Sequence, residues 1–239
     1  AEGKISVSYK GADQDSFTTL KNTFKFDLSN GLYVGIAGHS CAEAATLNGE
    51  YHDFIASGTA IAEDSGSLYD PGPKSHSEIN PELTLNKLNG TDKNIAAWHG
   101  SWYEQTSSLK QNSGKYNLLT NSYVARTTTD HIAFAGKNYM ITDEDTMDFS
   151  VVVDSQSAES GTLKGNYSSG LMIRESLDPS SKMAYIHTRG KDSNTLLVWR
   201  NTAGKDCGKD TTGVRLTVSW RSVTERLCLI KIRKQPIIY

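Results

Sequence analysis

The residues best equipped for chemistry fall into three groups. Arg174 and Arg200 each close a short apolar run, Leu171-Met172-Ile173-Arg174 and Leu196-Leu197-Val198-Trp199-Arg200. A planar guanidinium there can donate two parallel hydrogen bonds to a sugar acid or to hydroxyls, or it can make a structural ion pair across strands. Glu175, next in the chain, points to the opposite face because strand side chains alternate, so it joins the ligand candidates but shares no site with Arg174 unless a bulge intervenes. The second group is Trp98, Trp102 and Tyr103, the densest aromatic cluster of the chain. These rings can form a stacking platform for the apolar faces of pyranoses, or they can plug a loop against the core.

The third group is acidic. In Asp143-Glu144-Asp145-Thr146-Met147-Asp148, the carboxylates of Asp143, Glu144, Asp145 and Asp148 offer hard oxygen ligands suited to a structural Ca²⁺. No glycine sits where an EF-hand loop needs one, and a solvated turn is the alternative. Asp64 and Asp70 are the next place to look for calcium. The six histidines show neither His-x-His nor His-Glu-x-x-His spacing, which disfavours zinc. His187 shares a strand face with Tyr185 and is carried as a ligand candidate. No Gly-x-Ser-x-Gly elbow and no phosphate loop are present. Nor is there the Glu-x-Asp-x-x-Glu string that sets two carboxylates about 5 Å apart in retaining glycosidases of sandwich fold. The residues point away from catalysis.

These groups need a scaffold, and the pattern supplies strands. Between Asp148 and Asn201 four short runs, Phe149 to Asp154, Ser169 to Glu175, Met183 to Thr188 and Thr195 to Arg200, alternate with three polar breakers. The breakers are Ser157 to Asn166, Leu177 to Ser181 and Arg189 to Asn194. Such spacing argues for an antiparallel all-β domain. Further strands are expected at Lys4 to Lys10, Phe17 to Leu28, Gly31 to His39, Ala44 to Ala56, Tyr123 to Thr127, His131 to Phe134, Tyr139 to Thr142, Val214 to Trp220 and Arg226 to Arg233. In Tyr33-Val34-Gly35-Ile36-Ala37-Gly38, Val34 and Ile36 share one face while small residues take the other, the mark of a central strand that another backbone approaches closely. Ser29-Asn30-Gly31 before it is a hairpin signal. From Gly58 to Lys115 periodicity fades, and three of the five prolines fall there, so 58–115 reads as a linker or long insertion between 1–57 and 116–239.

Composition bounds the rest. Lys plus Arg number 25 against 27 Asp plus Glu, and a net charge of -2 gives no broad basic field for nucleic acid or anionic lipid. Twenty glycines and eleven tyrosines suit a turn-rich extracellular β protein. No apolar run approaches the roughly 18 residues of a membrane span, and no signal peptide is present, so a soluble chain processed at Ala1 is expected. The three cysteines, Cys41, Cys207 and Cys228, allow at most one disulfide, and Cys228 among Leu227, Leu229 and Ile230 reads as a buried thiol.

The string Gly170-Leu171-Met172-Ile173-Arg174-Glu175-Ser176, with the strands at Met183-Ala184-Tyr185 and Val198-Trp199-Arg200, resembles the concanavalin A-like β-sandwich modules appended to bacterial secreted polysaccharide lyases and glycosidases. A second stretch, Leu32-Tyr33-Val34-Gly35-Ile36-Ala37-Gly38-His39-Ser40 followed by Ala44-Ala45-Thr46-Leu47, is similar to the closing strands of the same family. Its Ser-His order is reversed, and Leu47 stands where the family has Phe. The closing strands therefore come first in this chain, so 1–57 and 116–239 together complete one sandwich or form halves of two tandem modules. The family's pattern stops near Trp220. The resemblance implies an antiparallel jelly-roll sandwich, a secreted or cell-surface location, and a non-catalytic module that binds a polysaccharide or oligosaccharide. Two other functions stay open. One is a jelly-roll polysaccharide lyase or hydrolase; as a lyase, Arg174 would neutralise a uronate while His187 or Tyr185 moves a proton. The other is an adhesion or spacer module.

Overall fold

The computed structural model describes residues 2–11, 15–42, 44–59, 74–75, 96–99, 106–112, 115–120, 128, 130, 132–141, 145–163, 165–176, 178, 180–190, 194–211 and 226–233. Residues 2–4, 11, 22–23, 74–75, 96–99, 106–112, 210–211 and 226–233 are described by their backbone alone. The expected strands Tyr123 to Thr127 and Val214 to Trp220 lie outside this set.

The described residues contain strands and no helix. In chain order they are β1 (Glu2–Gly11), β2 (Thr18–Asp27), β3 (Leu32–His39), β4 (Thr46–Gly58), β5 (Lys74–Ser75), β6 (Ala96–His99), β7 (Thr106–Asn112) and β8 (Lys115–Thr120). Then come β9 (Ala133–Tyr139), β10 (Met147–Ser160), β11 (Ser168–Arg174), β12 (Met183–Arg189), β13 (Thr195–Arg200), β14 (Gly208–Thr211) and β15 (Arg226–Arg233). An eight-stranded sheet has the order β2-β1-β15-β10-β4-β8-β7-β5, and a seven-stranded sheet the order β14-β13-β12-β11-β3-β9-β6. Neighbouring strands are antiparallel, and early and late segments interleave: β11 pairs with β3, β10 with β4, and β15 with β1.

The sheets stack over one apolar core. Phe24, Phe26, Tyr51, Phe54, Phe149 and Val151 enter it from the eight-stranded sheet, and Val34, Ile36, Leu171, Ile173, Ile186 and Leu197 from the seven-stranded one. Burying side chains of this size contributes about 1.5–3 kcal/mol each, so the stacking of the sheets is the main source of stability. The seven-stranded sheet is also covered on its outer face, where Tyr33, Phe134, Met172, Met183, Tyr185 and Val198 make a second apolar cluster. Its strands β3 and β11 are consequently buried along their whole length, which is why they read as unbroken apolar runs. The eight-stranded sheet behaves differently: β4 and β10 alternate between buried and half-exposed residues.

Three sequence expectations are corrected by this topology. The Asn30-Gly31 turn forms, with Gly31 at φ 72° and its N–H donating to the Leu28 carbonyl at 3.0 Å, but it closes no hairpin. It is a corner that carries the chain from β2 in one sheet to β3 in the other, because turn chemistry reverses the chain without choosing its pairing partner. In place of the two runs expected at His131 to Phe134 and Tyr139 to Thr142, a single strand β9 spans Ala133–Tyr139 with Gly136 inside it, and Met140 and Ile141 lie beyond its end. β10 runs on to Ser160, through part of an expected breaker, since Ser155 to Ser160 pair with Thr46 to Glu50 of β4.

The small residues of β3 have a specific neighbour. Gly35 lies opposite Gly136 of β9. A Cβ on Gly35 would overlap the Ala135 carbonyl oxygen and the Gly136 Cα, and one on Gly136 would overlap the Val34 carbonyl oxygen. Central β3 can therefore sit between β11 and β9 only with glycine at this crossing. Gly35→Ala is expected to destabilise the protein by at least the roughly 1–3 kcal/mol typical of overpacking, read as a lowered urea midpoint at unchanged slope. An unchanged midpoint would refute the close approach.

Candidate functional site

Arg174 and Arg200 come together at one end of the seven-stranded sheet because each terminates its strand on the outer face. Both lie opposite Met183 of β12, which stands between them. Asp130, just before β9, joins them. Its Oδ1 accepts from Arg174 Nη1 at 3.2 Å, and its Oδ2 accepts from Arg174 Nη2 at 3.2 Å and from Arg200 Nη1 at 3.1 Å. The three side chains have no solvent exposure. The remaining donors go to loop carbonyls: Arg174 Nε to Ser176 at 2.7 Å and Nη2 to Asp178 at 2.6 Å, Arg200 Nη1 to Ser181 at 2.8 Å and Nε to Lys205 at 3.0 Å. Arg200 Nη2 also lies 3.4 Å from Cys207 Sγ. Burial raises the Cys207 thiol pKa, with the Arg200 charge pulling the other way.

This arrangement does structural work. The two guanidiniums pin the connections 175–182 and 201–207 to the end of the sheet, and the loops also meet directly where Gly204 N donates to Ser180 O at 2.8 Å. Two buried cations around one carboxylate survive only because nearly every donor has an acceptor. The geometry is that of the structural ion pair rather than of an exposed sugar clamp. Asp130 was missed in the sequence, since nothing in Thr127-Thr128-Thr129-Asp130 announces partners 44 and 70 residues away.

Glu175 points away from the pair, as strand alternation requires. Its Oε1 accepts from the Asp27 amide at 2.6 Å and from Lys182 Nζ at 3.0 Å, which fastens the seven-stranded sheet to the end of β2. Asp27 is exposed, and its carboxyl pKa is lowered chiefly by hydrogen bonds from Ser29.

Tyr185 and His187 share the outer face as expected and stack with ring centroids 4.5 Å apart, and His39 meets His187 edge-on at 6.1 Å. All three are buried. Tyr185 donates its hydroxyl to the Ala37 carbonyl at 3.0 Å and lies 3.1 Å from Ser168 Oγ, while Tyr51 reaches the same carbonyl from the core side at 2.8 Å. These groups face protein on every side.

The other candidates separate. Trp98 lies on β6, whose side chains are not described, and Trp102 and Tyr103 fall outside the described residues. Within the acidic stretch, Asp145 Oδ1 accepts from Thr59 Oγ1 at 3.0 Å, and Asp148 sits on β10 opposite Ser57. Among the described residues no group of three or more His, Cys, Asp and Glu is placed to hold a metal, a statement that does not extend to Asp143, Glu144, Asp64 or Asp70. Cys41 and Cys207 are not in a disulfide, and the side chain of Cys228 is not described.

Two outcomes follow from the buried network. Asp130→Ala leaves two guanidiniums buried without their carboxylate and is expected to cost about 3–5 kcal/mol in urea unfolding; a cost under about 1 kcal/mol would show that the network is not needed. Tyr33, opposite Arg174 on the neighbouring strand β3, has its hydroxyl pKa pushed up to about 12 by burial, with a hydrogen bond to Asn138 acting against the shift. A raised folded pKa means that this contribution is complete below about pH 10 and is lost as pH rises towards 12. Tyr33→Phe should flatten that part of the stability profile, and an unchanged alkaline slope would assign the loss elsewhere.

No protein-family model, curated protein or solved structure matches this chain.

Proposed function

We propose that the chain is a non-catalytic carbohydrate-binding module of an extracellular polysaccharide-degrading system, built as a concanavalin A-like jelly roll and working outside the cell or on its surface. One observation carries this reading. The two stretches that resemble such modules, Leu32–His39 and Ser168–Arg174, are far apart in sequence yet pair along seven consecutive positions, from Tyr33 opposite Arg174 to His39 opposite Ser168. Closing and opening strands of the family pattern thus become neighbours in one sheet, the arrangement a single joined sandwich requires. A binding role also accords with the use made of the polar strand ends. Arg174, Arg200, Asp130 and Glu175 hold loops in fixed positions, and rigid loops reduce the ordering cost of capturing a flexible polymer. Tyr185 and His187, the pair a lyase would use, are packed inside the fold. No helix of the described residues is long and apolar enough to cross a membrane.

Calorimetric titration against pectin, alginate, fructan and xylan, with calcium and with chelator, tests the proposal while absorbance is followed at the unsaturated-uronate wavelength. Saturable binding without new absorbance is the expected result, and loss of binding in chelator would show that a structural calcium is required, with the Asp143 to Asp148 stretch or Asp64 and Asp70 as its candidate ligands. Rising absorbance would instead make the protein a lyase. Absence of binding to every glycan would leave an adhesion or spacer role.

A further inference from the structure

The solvent-facing side of the eight-stranded sheet carries a polar cluster built with unusual backbone geometry. β4 and β10 slip register twice within a few residues. Ser150 pairs with Ile55 and Val152 with His52, so β4 holds an extra residue near Asp53; Val153 pairs with Tyr51 and Ser155 with Glu50, so β10 bulges at Asp154. Asp53 adopts φ 49°, a left-handed conformation costly for any residue but glycine and least so for Asn and Asp. Paired bulges bend a sheet and re-aim side chains, and strain of this kind persists where the surrounding structure enforces it.

Just past the Asp154 bulge, Asn48 and Glu50 of β4, Asn117 of β8 and Ser155 of β10 form one half-buried group. Tyr51, Tyr116 and Leu118 beside them point into the core, so these four point outward. Glu50 accepts from Ser155 Oγ through Oε2 and from Asn117 Nδ2 at 3.4 Å through Oε1, and Asn117 Nδ2 also donates to Asn48 Oδ1 at 3.0 Å. The amide N–H₂ of Asn48, the carbonyl oxygen of Asn117 and further lone pairs of Glu50 remain available among the described residues. Donor, acceptor and carboxylate are therefore presented together on a rigid sheet. Lys115 is already directed at Asp154, 3.4 Å away, and Asp53 lies beside His52 at 3.0 Å. With Asp154 paired to Lys115, Glu50 is the charged member of the cluster itself.

We propose that this face is a binding site for neutral polysaccharide, with Glu50 and Asn117 gripping adjacent hydroxyls of one pyranose. The proposal rests on the carbohydrate-binding reading and deepens it by naming a face and a ligand class. A carboxylate accepting from two sugar hydroxyls makes charge-assisted hydrogen bonds, whereas a uronate brought to the same place meets the Glu50 carboxylate as a like charge. A cation is a poorer fit, since no described acidic group here meets the geometry for a metal.

The test is calorimetry of the full chain with cellohexaose, xylohexaose and mannohexaose as neutral probes and hexagalacturonate as the anionic one. Glu50→Gln and Asn117→Ala are compared with wild type and with the control Thr202→Ala, a loop residue of the other sheet. At least one neutral probe is expected to bind and hexagalacturonate is not. Each site variant should raise Kd about tenfold, the control should not, and melting temperatures should stay close to wild type. Neutral binding with unchanged Kd in both variants would overturn this site yet leave the broader function standing, as would preference for hexagalacturonate. Failure of wild type to bind any probe or any of the polysaccharides above would overturn both. If Glu50→Gln does not fold, Asn117→Ala and Asn48→Ser decide the matter by the same Kd criterion.

Discussion

The carboxylate of Asp130 between the guanidiniums of Arg174 and Arg200 is the interaction on which the loop end of the sandwich depends. Two cations and one anion removed from water are costly, and the cost is offset only when each donor finds an oxygen at good geometry. That demand fixes the chain around them. The carbonyls of Ser176, Asp178, Ser181 and Lys205 must point inward, so two connections that would otherwise be free to vary are held against β11 and β13. The network also fixes the segment before β9, which reaches the arginines from across the sheet.

The two sheets divide the labour of the fold. The central strands of the seven-stranded sheet are buried on both faces, and their polar groups serve the interior: Tyr185 shares the Ala37 carbonyl with Tyr51 of the other sheet, and His187 stacks on Tyr185 and meets His39 edge-on beneath the surface. The eight-stranded sheet keeps one face wet around β4, β8 and β10, with Asn48, Glu50, Asn117 and Ser155 half exposed. Ligand chemistry needs groups that are both held in place and reachable. The first sheet holds its groups without exposing them, and the second does both.

Particular elements show how far residues alone carry the fold. The apolar run of β11 and the small-residue face of β3 were legible because burial on both sides leaves a continuous signature, and β15 spans the run expected at Arg226 to Arg233. The corner at Gly31 was read as a hairpin, since Asn-Gly specifies backbone angles and says nothing of which strand lies alongside. The gap left between the runs ending at Phe134 and starting at Tyr139 is strand, and Gly136 within it lets β9 approach Gly35. The bulges at Asp53 and Asp154 left no mark, because a register slip is a property of two strands.

The sequence by itself determined the all-β class and the positions of most strands, because side-chain alternation, turn residues and composition are local properties. Only the tertiary structure decided what each polar residue does. Arg174 and Arg200 became structural because Asp130 is brought between them, and Tyr185 and His187 became interior because the outer face of their sheet is covered. Glu50 and Asn117 stand out for the converse reason: pairing of β4 with β8 and β10 gathers them on a face that remains open to water. Partner and burial are set by contacts between distant segments, and no single stretch of chain contains them.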